Sequence, residues 1–421
     1  MSSTLPNLTW PLLPEGSVAA EHAASSIALR VACAGTTNKA ELVRASGMPR
    51  SSVSAHVDWL LHRGVLAHAQ QRPRSGRGRP AETVELNRDA AHILAVDMGT
   101  QATTAAVVDL RGHVVARRRV YLPTSGPPDV ALDRLAALLG ELRDEVAIAR
   151  PVAFAPRHVA AIAFPARIDS RTQAPLRPTV LPSWDGYDVV GRLEQLLGCP
   201  VLLENDCAVR AIAEAGLLGP EALPLLSVQL GTGIGAGIVD GAGEIYRGAN
   251  GSAGDVGHIP CVAGGDTLCA CGSRGCVESV AAVPAMLARL RAIGITDDDS
   301  ELEGSDLLAH LLRRQDPRAT QVVRESAEML GEVVSALCNV LNPRRVVITS
   351  GLSSVTHDLL AGVRSVVYAR TRALATKDLV VDYSSMAPDL GIAGAYLLGR
   401  RHLFEPEHLK QFRAAEAARD R

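Results

Sequence analysis

Aromatic residues make up only 3% of this 421-residue chain. So few rings exclude the broad stacking surfaces that hold single-stranded nucleic acid. Net charge is also scarce, at −2 at pH 7, so the molecule as a whole is not a polyanion binder. No run reaches the roughly 18 apolar residues of a membrane span. The opening MSSTLPNLTWPLLPEGSVAA lacks the basic start and continuous apolar core of a signal peptide. No internal repeat is visible, and low complexity is confined to QRPRSGRGRP and the polar tail from Glu405. The expectation is a cytoplasmic protein with no membrane partner. Hydrophobic residues make up 47%, enough at this length for about two to four domains with sizeable cores.

The little charge present is unevenly spread. From Lys39 to Arg79 there are eight basic residues (Lys39, Arg44, Arg50, Arg63, Arg72, Arg74, Arg77, Arg79) against two acids (Glu41, Asp58), a local +6. The remainder must then carry −8. A basic module on an acidic body points to a nucleic-acid contact. EHAASSIALRVACAG reads as a helix, and TTNKAELVRASGMPRSSVSAHVDWLLHRGVLA as helix, tight turn, helix. Asn38 can cap the first helix of that pair, with Leu42 and Val43 facing inward. Pro49 can start the second, whose apolar set is Val53, Val57, Leu60 and Leu61. Its exposed face would carry Arg50, Ser51, Ser52, Ser54, Ala55 and His56, short or cationic side chains suited to a major groove. The basic stretch and the strand-like Glu82–Leu86 then predict a two-stranded wing with Arg77 and Arg79 at its tip. The expected DNA contacts are Lys39, Arg50, Ser51, Ser52, Ser54, His56, Arg77 and Arg79, on double-stranded operator DNA.

From Ala91 the texture is that of an α/β body. Apolar, β-branched runs (AHILAVDMG, VAAIAFPA, PVLLEND, LLSVQLGTG, GAGIVDG, RRVVITSG) alternate with helical patterns. The clearest helix is ESAEMLGEVVSALCNVLNP, with Cys338 on its core face. Over 300 residues exceed one core, so two lobes are expected. Gly231, Thr232 and Gly233 fall in a glycine-rich turn that is either a phosphate loop or a tight hairpin. Asp97 and Gly99, at the end of the body's first strand, offer a second phosphate loop. In ENDCA, Asp206 could accept a proton from a hydroxyl that Asn205 orients; either residue could instead cap a helix.

Four of the eight cysteines lie between Gly257 and Cys276. In a reducing compartment such a cluster more often binds metal than forms disulfides. His258, Cys269, Cys271 and Cys276 supply one nitrogen and three sulfurs for a structural zinc. Gly272 and Gly275 allow the sharp turns of a short chelate. Cys261 and Asp266 are spare donors, and spacing alone allows Cys261 to exchange with Cys269.

GANGSAGDVGHIPCVAGGDTLCACGSRGCVES, from Gly248, resembles the signature of the ROK family (repressors, open reading frames and sugar kinases). LPSWDGYDV, ENDCAVRA, LGTGIGAGIV and ITSGL extend the resemblance over residues 91–400. It implies an actin-like (ribonuclease H-like) two-lobed sugar-kinase fold behind an α+β winged helix-turn-helix domain. It also implies a sugar cleft between the lobes, beside the zinc. By motif position, Asn205 and Asp206 match the sugar-binding pair, Asp206 being the kinase base. Glu278 matches a sugar-binding glutamate, His258 also faces the sugar, and Asp97, Gly99, Gly231, Thr232 and Gly233 match nucleotide loops. The departures are DMGTQA where kinases of the family have DxGGTK, Asp255 in place of a glutamate, and Phe164-Pro165-Ala166 in place of Pro-Gly. The last would push a side chain toward the cleft.

The reading is a repressor with vestigial kinase machinery, structural zinc and a carbohydrate-like effector held by Asn205, Asp206, Asp255, His258 and Glu278. It would act as a homodimer or homotetramer. An ATP-dependent sugar kinase with an attached DNA-binding module is the alternative. The expected domains are 1–88 (winged helix), 89–205 completed by 385–402 (first lobe), 206–384 (second lobe, with zinc) and a tail from 403 to 421.

Overall fold

The computed structural model describes residues 3–6, 8–9, 22–69, 82–100, 102–150, 157–178, 181–296, 301–386 and 388–412. Strand β1 (Ser3–Thr4) precedes helix α1 (Ala23–Ala34), strand β2 (Thr36–Asn38), and helices α2 (Lys39–Ser46) and α3 (Arg50–His62). Asn38 caps α2: its Oδ1 accepts from the backbone amides of Ala40 and Glu41, both at 3.0 Å. Glu41 closes the capping box by accepting from the Asn38 amide at 3.2 Å. Gly47 ends the helix in the left-handed region, with φ 65°, as glycine alone does without strain. On α3, Val53, Val57 and Leu60 are fully buried. Leu61 is only half-buried, because one residue is 100° of helix and carries it to the edge of the stripe.

Strands β3 (Leu66–His68) and β4 (Thr83–Leu86) form the hairpin expected of a wing. The sheet nevertheless has three strands, in the order β2-β4-β3. Sequence reading missed β2 because three polar residues carry no alternation signal. Arg77 and Arg79 lie outside the described residues, as does Gln101.

The body's first sheet is built on β5 (Ala91–Met98), β6 (Thr103–Asp109), β7 (His113–Val120), β8 (Arg157–Phe164) and β11 (Val201–Asn205), in the order β1-β7-β6-β5-β8-β11. Strands β5, β8 and β11 run parallel, while β6 and β7 return antiparallel. A small pair, β9 (Arg167–Ile168) and β10 (Pro175–Leu176), follows β8. Helices α4 (Pro128–Ala149) and α5 (Val189–Leu197) cover the sheet face that carries Leu94, Val96, Ala160 and Ile162. The opposite face meets α6 (Asp206–Leu218) and, later in the chain, α13 (Leu390–Leu403). Phe164 turns into this core against Trp184, at a ring separation of 5.2 Å. Burying its benzyl group in an apolar layer is favourable, and Ala166, two residues on, belongs to the same core.

Strands β12 (Leu225–Leu230), β13 (Ile234–Val239), β14 (Arg345–Ser350) and β15 (Val380–Tyr383) form a second sheet, ordered β13-β12-β14-β15. Helices α7 (Glu278–Ala281), α8 (Val283–Ala292), α9 (Gly304–Arg313), α10 (Pro317–Leu341), α11 (Asp358–Arg370) and α12 (Ala373–Thr376) accompany it. Cys338, on α10, is buried in this core. The chain ends its described part with α14 (Pro406–Leu409).

Two compact units result: residues 1–168, 173–219 and 391–421, and residues 169–172 and 220–390. The boundary falls after α6, not before it as spacing suggested, because α6 packs on β8 and β11. The N-terminal module clusters with the first lobe. Buried Asp109 binds Arg88 at 2.9 Å, and Arg111 donates to the Leu86 carbonyl at 2.6 Å. Residues 403–412, expected to be a polar tail, bury Phe404, Leu409 and Phe412. Among the described residues, no helix is long and apolar enough to cross a membrane.

Helices α6 and α13 approach so closely that a Cβ on Gly394 would collide with the Val209 carbonyl. Gly394→Ala should cost about 1–3 kcal/mol of stability, the usual penalty of overpacking. Urea unfolding of the first unit's transition reads this, and unchanged stability would contradict the contact.

Candidate functional site

Three regions carry the residues that sequence reading singled out. On the N-terminal module, Arg50 and Ser51 are exposed at the start of α3, while Ser52, Ser54 and His56 are half-buried. Lys39 reaches across from α2 and donates to Ser54 Oγ at 3.0 Å and Asp58 Oδ1 at 2.7 Å. Ser54 also donates to Asp58 Oδ2 at 3.3 Å. Two of the expected DNA contacts are thus tied to an acid that sequence reading counted only as charge. An exposed pair of this kind is worth about 0–1 kcal/mol, so a phosphate can displace Asp58 from Lys39.

In the first unit, β5 delivers Asp97 and the start of α6 delivers Asp206. Between them lies Arg210, one turn after Asp206, which the sequence reading did not single out. Its Nη2 donates to Asp97 Oδ1 at 2.8 Å and Oδ2 at 3.1 Å, and its Nη1 to Asp206 Oδ2 at 2.8 Å. Burial alone would make Arg210 easier to deprotonate; the carboxylates of Asp97 and Asp206 reverse this and push its pKa above the usual value. Burial pushes the Asp97 carboxyl upward, with Arg210 opposing. Because a guanidinium does not shed its proton, Arg210 brings a fixed positive charge between the two carboxyl groups. The i,i+4 spacing of Asp206 and Arg210 was the available clue.

Asp206 Oδ1 also accepts from the Cys207 amide at 2.9 Å and from Asn205 Nδ2 at 3.3 Å. Asn205 caps α6 through the Cys207 and Ala208 amides, at 3.0 and 3.2 Å, and its Nδ2 donates to the Ala166 carbonyl at 3.0 Å. The capping role weighed for these residues is therefore present. Gly99 closes the β5–β6 turn, its amide bonding the Ala102 carbonyl at 3.0 Å.

In the second unit, Gly231, Thr232 and Gly233 form the tight turn between β12 and β13, with the Gly231 amide on the Gly233 carbonyl at 2.9 Å. Glu278 holds this turn: its Oε2 accepts from the Ile234 amide at 2.8 Å. A side chain at Gly233 would press on that same oxygen.

His258, Cys269, Cys271 and Cys276 place one ligand atom each within 4.8 Å of one another. His258 Nδ1 lies 3.6 Å from Cys269 Sγ, and the Cys271 and Cys276 sulfurs are 3.7 Å apart. On a tetrahedral zinc, nitrogen and sulfur stand about 3.6 Å apart and two thiolates about 3.8 Å, so these two pairs already have the spacing the ion needs. The burial of Cys276 and its neighbouring thiols push its pKa up to about 12, a cost that a bound cation removes. Gly264 and Gly275 let two strands of the hook touch, since a Cβ on Gly264 would strike the Gly275 carbonyl. Cys261 stands outside this quartet and packs against the apolar core, which answers the exchange that spacing left open. Asp255 Oδ1 lies 3.8 Å from His258 Nε2. The carboxylate thus stands on the side of the ring away from the sulfurs, near Nε2 but beyond hydrogen-bond distance.

Residues 93–402 match the profile of the ROK family. A putative xylose repressor from Caldicellulosiruptor is 26% identical over 345 residues, covering 80% of this chain and 84% of its own. An N-acetylmannosamine kinase from Shigella boydii is 28% identical over 309 residues, 73% of this chain and 98% of its own. A solved ROK family transcriptional regulator, described as a homologue of the E. coli MLC protein, superimposes with a TM-score of 0.76 at 21% identity. It covers 93% of this chain and 98% of that one, N-terminal module included. With the family's profile spanning both α/β sheets, and the fold shared with a regulator over almost its whole length, the chain belongs to the ROK family and has its actin-like sugar-kinase fold.

Proposed function

We propose that the chain is a sequence-specific DNA-binding transcriptional regulator, a repressor, whose body senses a carbohydrate-like effector without phosphorylating it. One observation carries the choice against catalysis: Arg210 occupies both Asp97 and Asp206. Both Asp206 oxygens already accept hydrogen bonds, Oδ2 from Arg210 and Oδ1 from the Cys207 amide, so a substrate hydroxyl would have to compete for them. Phosphoryl transfer depends on placing a metal and charge around the γ-phosphate, and the Asp97 carboxylate is already neutralised. Asp97, Gly99, Gly231, Thr232 and Gly233 are then vestiges of nucleotide loops.

In this reading, Arg50 and Ser51 meet DNA directly, with Ser52, Ser54, His56, Lys39, Arg77 and Arg79 as further contacts. Asn205 and Asp206 in the first unit, and Asp255, His258 and Glu278 in the second, are the proposed effector contacts. The name of the Caldicellulosiruptor relative makes xylose the first sugar to try. Zinc on His258, Cys269, Cys271 and Cys276 would serve structurally, fixing the loop that carries Asp255 and His258. A homodimer or homotetramer would present two modules to two half-sites.

Four outcomes are expected. With an operator selected from random duplex DNA, Arg50→Ala should weaken binding by about 1–3 kcal/mol if it reads a base, or flatten the salt dependence if it meets phosphate. Unchanged affinity and salt slope would remove α3 from the interface. Cys271→Ser should lose the metal of the hook and with it the sugar response, as measured by elemental analysis and by sugar-induced release of DNA; a full metal complement would contradict the ligand set. Incubated with ATP, Mg²⁺ and xylose, glucose or N-acetylmannosamine, the wild type should form no sugar phosphate above the Asp206→Asn background. Arg210→Ala should bind Mn²⁺ more tightly than the wild type by freeing two carboxylates. Robust phosphorylation abolished by Asp206→Asn would instead make the chain a kinase.

A further inference from the structure

A second group of metal-ligating side chains stands far along the chain from the cysteine hook. His402 ends α13, Glu405 precedes α14, and His408 lies within α14. One imidazole nitrogen from each histidine and a Glu405 oxygen lie within 4.8 Å of one another. Glu405 Oε2 is 3.7 Å from His402 Nδ1 and 3.4 Å from His408 Nδ1. Nitrogen and oxygen donors on a tetrahedral zinc stand about 3.3 Å apart, so small side-chain rotations close the set. The two rings lie against each other, with centroids 3.8 Å apart. Two stacked imidazolium cations would repel, and neutral rings are the form that binds metal. His402 Nε2 is shielded from solvent with no hydrogen-bond partner. The nitrogen His408 would offer now donates to the His402 carbonyl at 2.8 Å, a contact a metal would replace.

Residues 410–412, just beyond this cluster, are gripped by two arginines. Arg63, just past the end of α3, donates to the carbonyls of Lys410 at 2.7 Å and Phe412 at 2.9 Å. Arg157 donates to the carbonyl of Gln411 at 3.0 Å and to its Oε1 at 2.7 Å, and lies over the Phe412 ring. The turn from 402 to 408 therefore leads directly into the segment that Arg63 and Arg157 hold.

We propose that His402, Glu405 and His408 form a second zinc site, independent of the cysteine hook, that rigidifies residues 403–412, the segment Arg63 holds at the end of α3. The site itself does not depend on the functional reading; only its bearing on DNA does.

The test uses the full chain equilibrated in buffered free zinc. Wild type should bind two zinc ions, while His408→Gln and Cys271→Ser should each bind one. Hydrogen exchange of residues 403–412 should slow on adding zinc to Cys271→Ser but not to His408→Gln. Cobalt in Cys271→Ser should give ligand-field bands without the thiolate charge transfer that His408→Gln retains, which also reports that His408→Gln is folded. His402→Gln should repeat the loss, weakening the second site at least about ten-fold, as removal of even an outer partner commonly does. One zinc in the wild type, or two retained in both histidine variants, would overturn the site. Loss of DNA binding with two zinc ions still bound would instead count against the regulator reading alone.

Discussion

A buried guanidinium between two carboxylates governs what the first unit can do. Arg210 donates both ends of its fork, one to the end of β5 and one to the start of α6. Remove it, and two acids face each other across a partly desolvated space, where like charge would force one to take up a proton. With it present, the carboxylates of Asp97 and Asp206 are both held by hydrogen bonds to its guanidinium. Nothing else in the unit explains so directly how residues of a kinase can persist in a body that need not transfer phosphate. Gly391, the second residue of α13, leaves room for the Asp97 carboxyl, which a Cβ at that position would strike.

The second unit solves a different problem. A short glycine-rich segment has too few apolar side chains to hold itself together, and its order must come from backbone contacts and the hook. The hook brings its four donors within 4.8 Å of one another through the turns at Gly272 and Gly275 and the close pass at Gly264. Glu278 then carries that order to the next element. It stands two residues after Cys276 and accepts the Ile234 amide, so the β12–β13 turn and the hook share a support. Asp255, one carbon shorter than the family's usual glutamate, sits by His258 Nε2.

The N-terminal module is stitched to the body at several points. Asp109 is fully buried and gathers Arg88, His113 and the Arg111 amide. β1 adds to the edge of the body's sheet at β7, and Arg63 grips the chain near its far end. Each is a charged or backbone contact, which fixes direction as well as proximity; an apolar interface of similar extent would leave more freedom to slide.

Local pattern made much of this legible in advance. The capping box at Asn38, the apolar stripe of α3, the α/β alternation after Ala91 and the four hook donors all depend on residues close in sequence, where spacing implies geometry. The same locality explains the failures. β1 and β2 are too short for periodicity to register, and they exist because distant strands offer them hydrogen bonds. The end of the chain read as a polar tail because charge and histidine are common on surfaces, yet folding places it against Arg63 and Arg157. Most consequential, sequence named Asp97 and Asp206 as separate loops' acids. Only the tertiary structure, by bringing positions more than a hundred residues apart onto one guanidinium, decided that they form a single charge network, because electrostatic energy depends on distance in space and not along the chain.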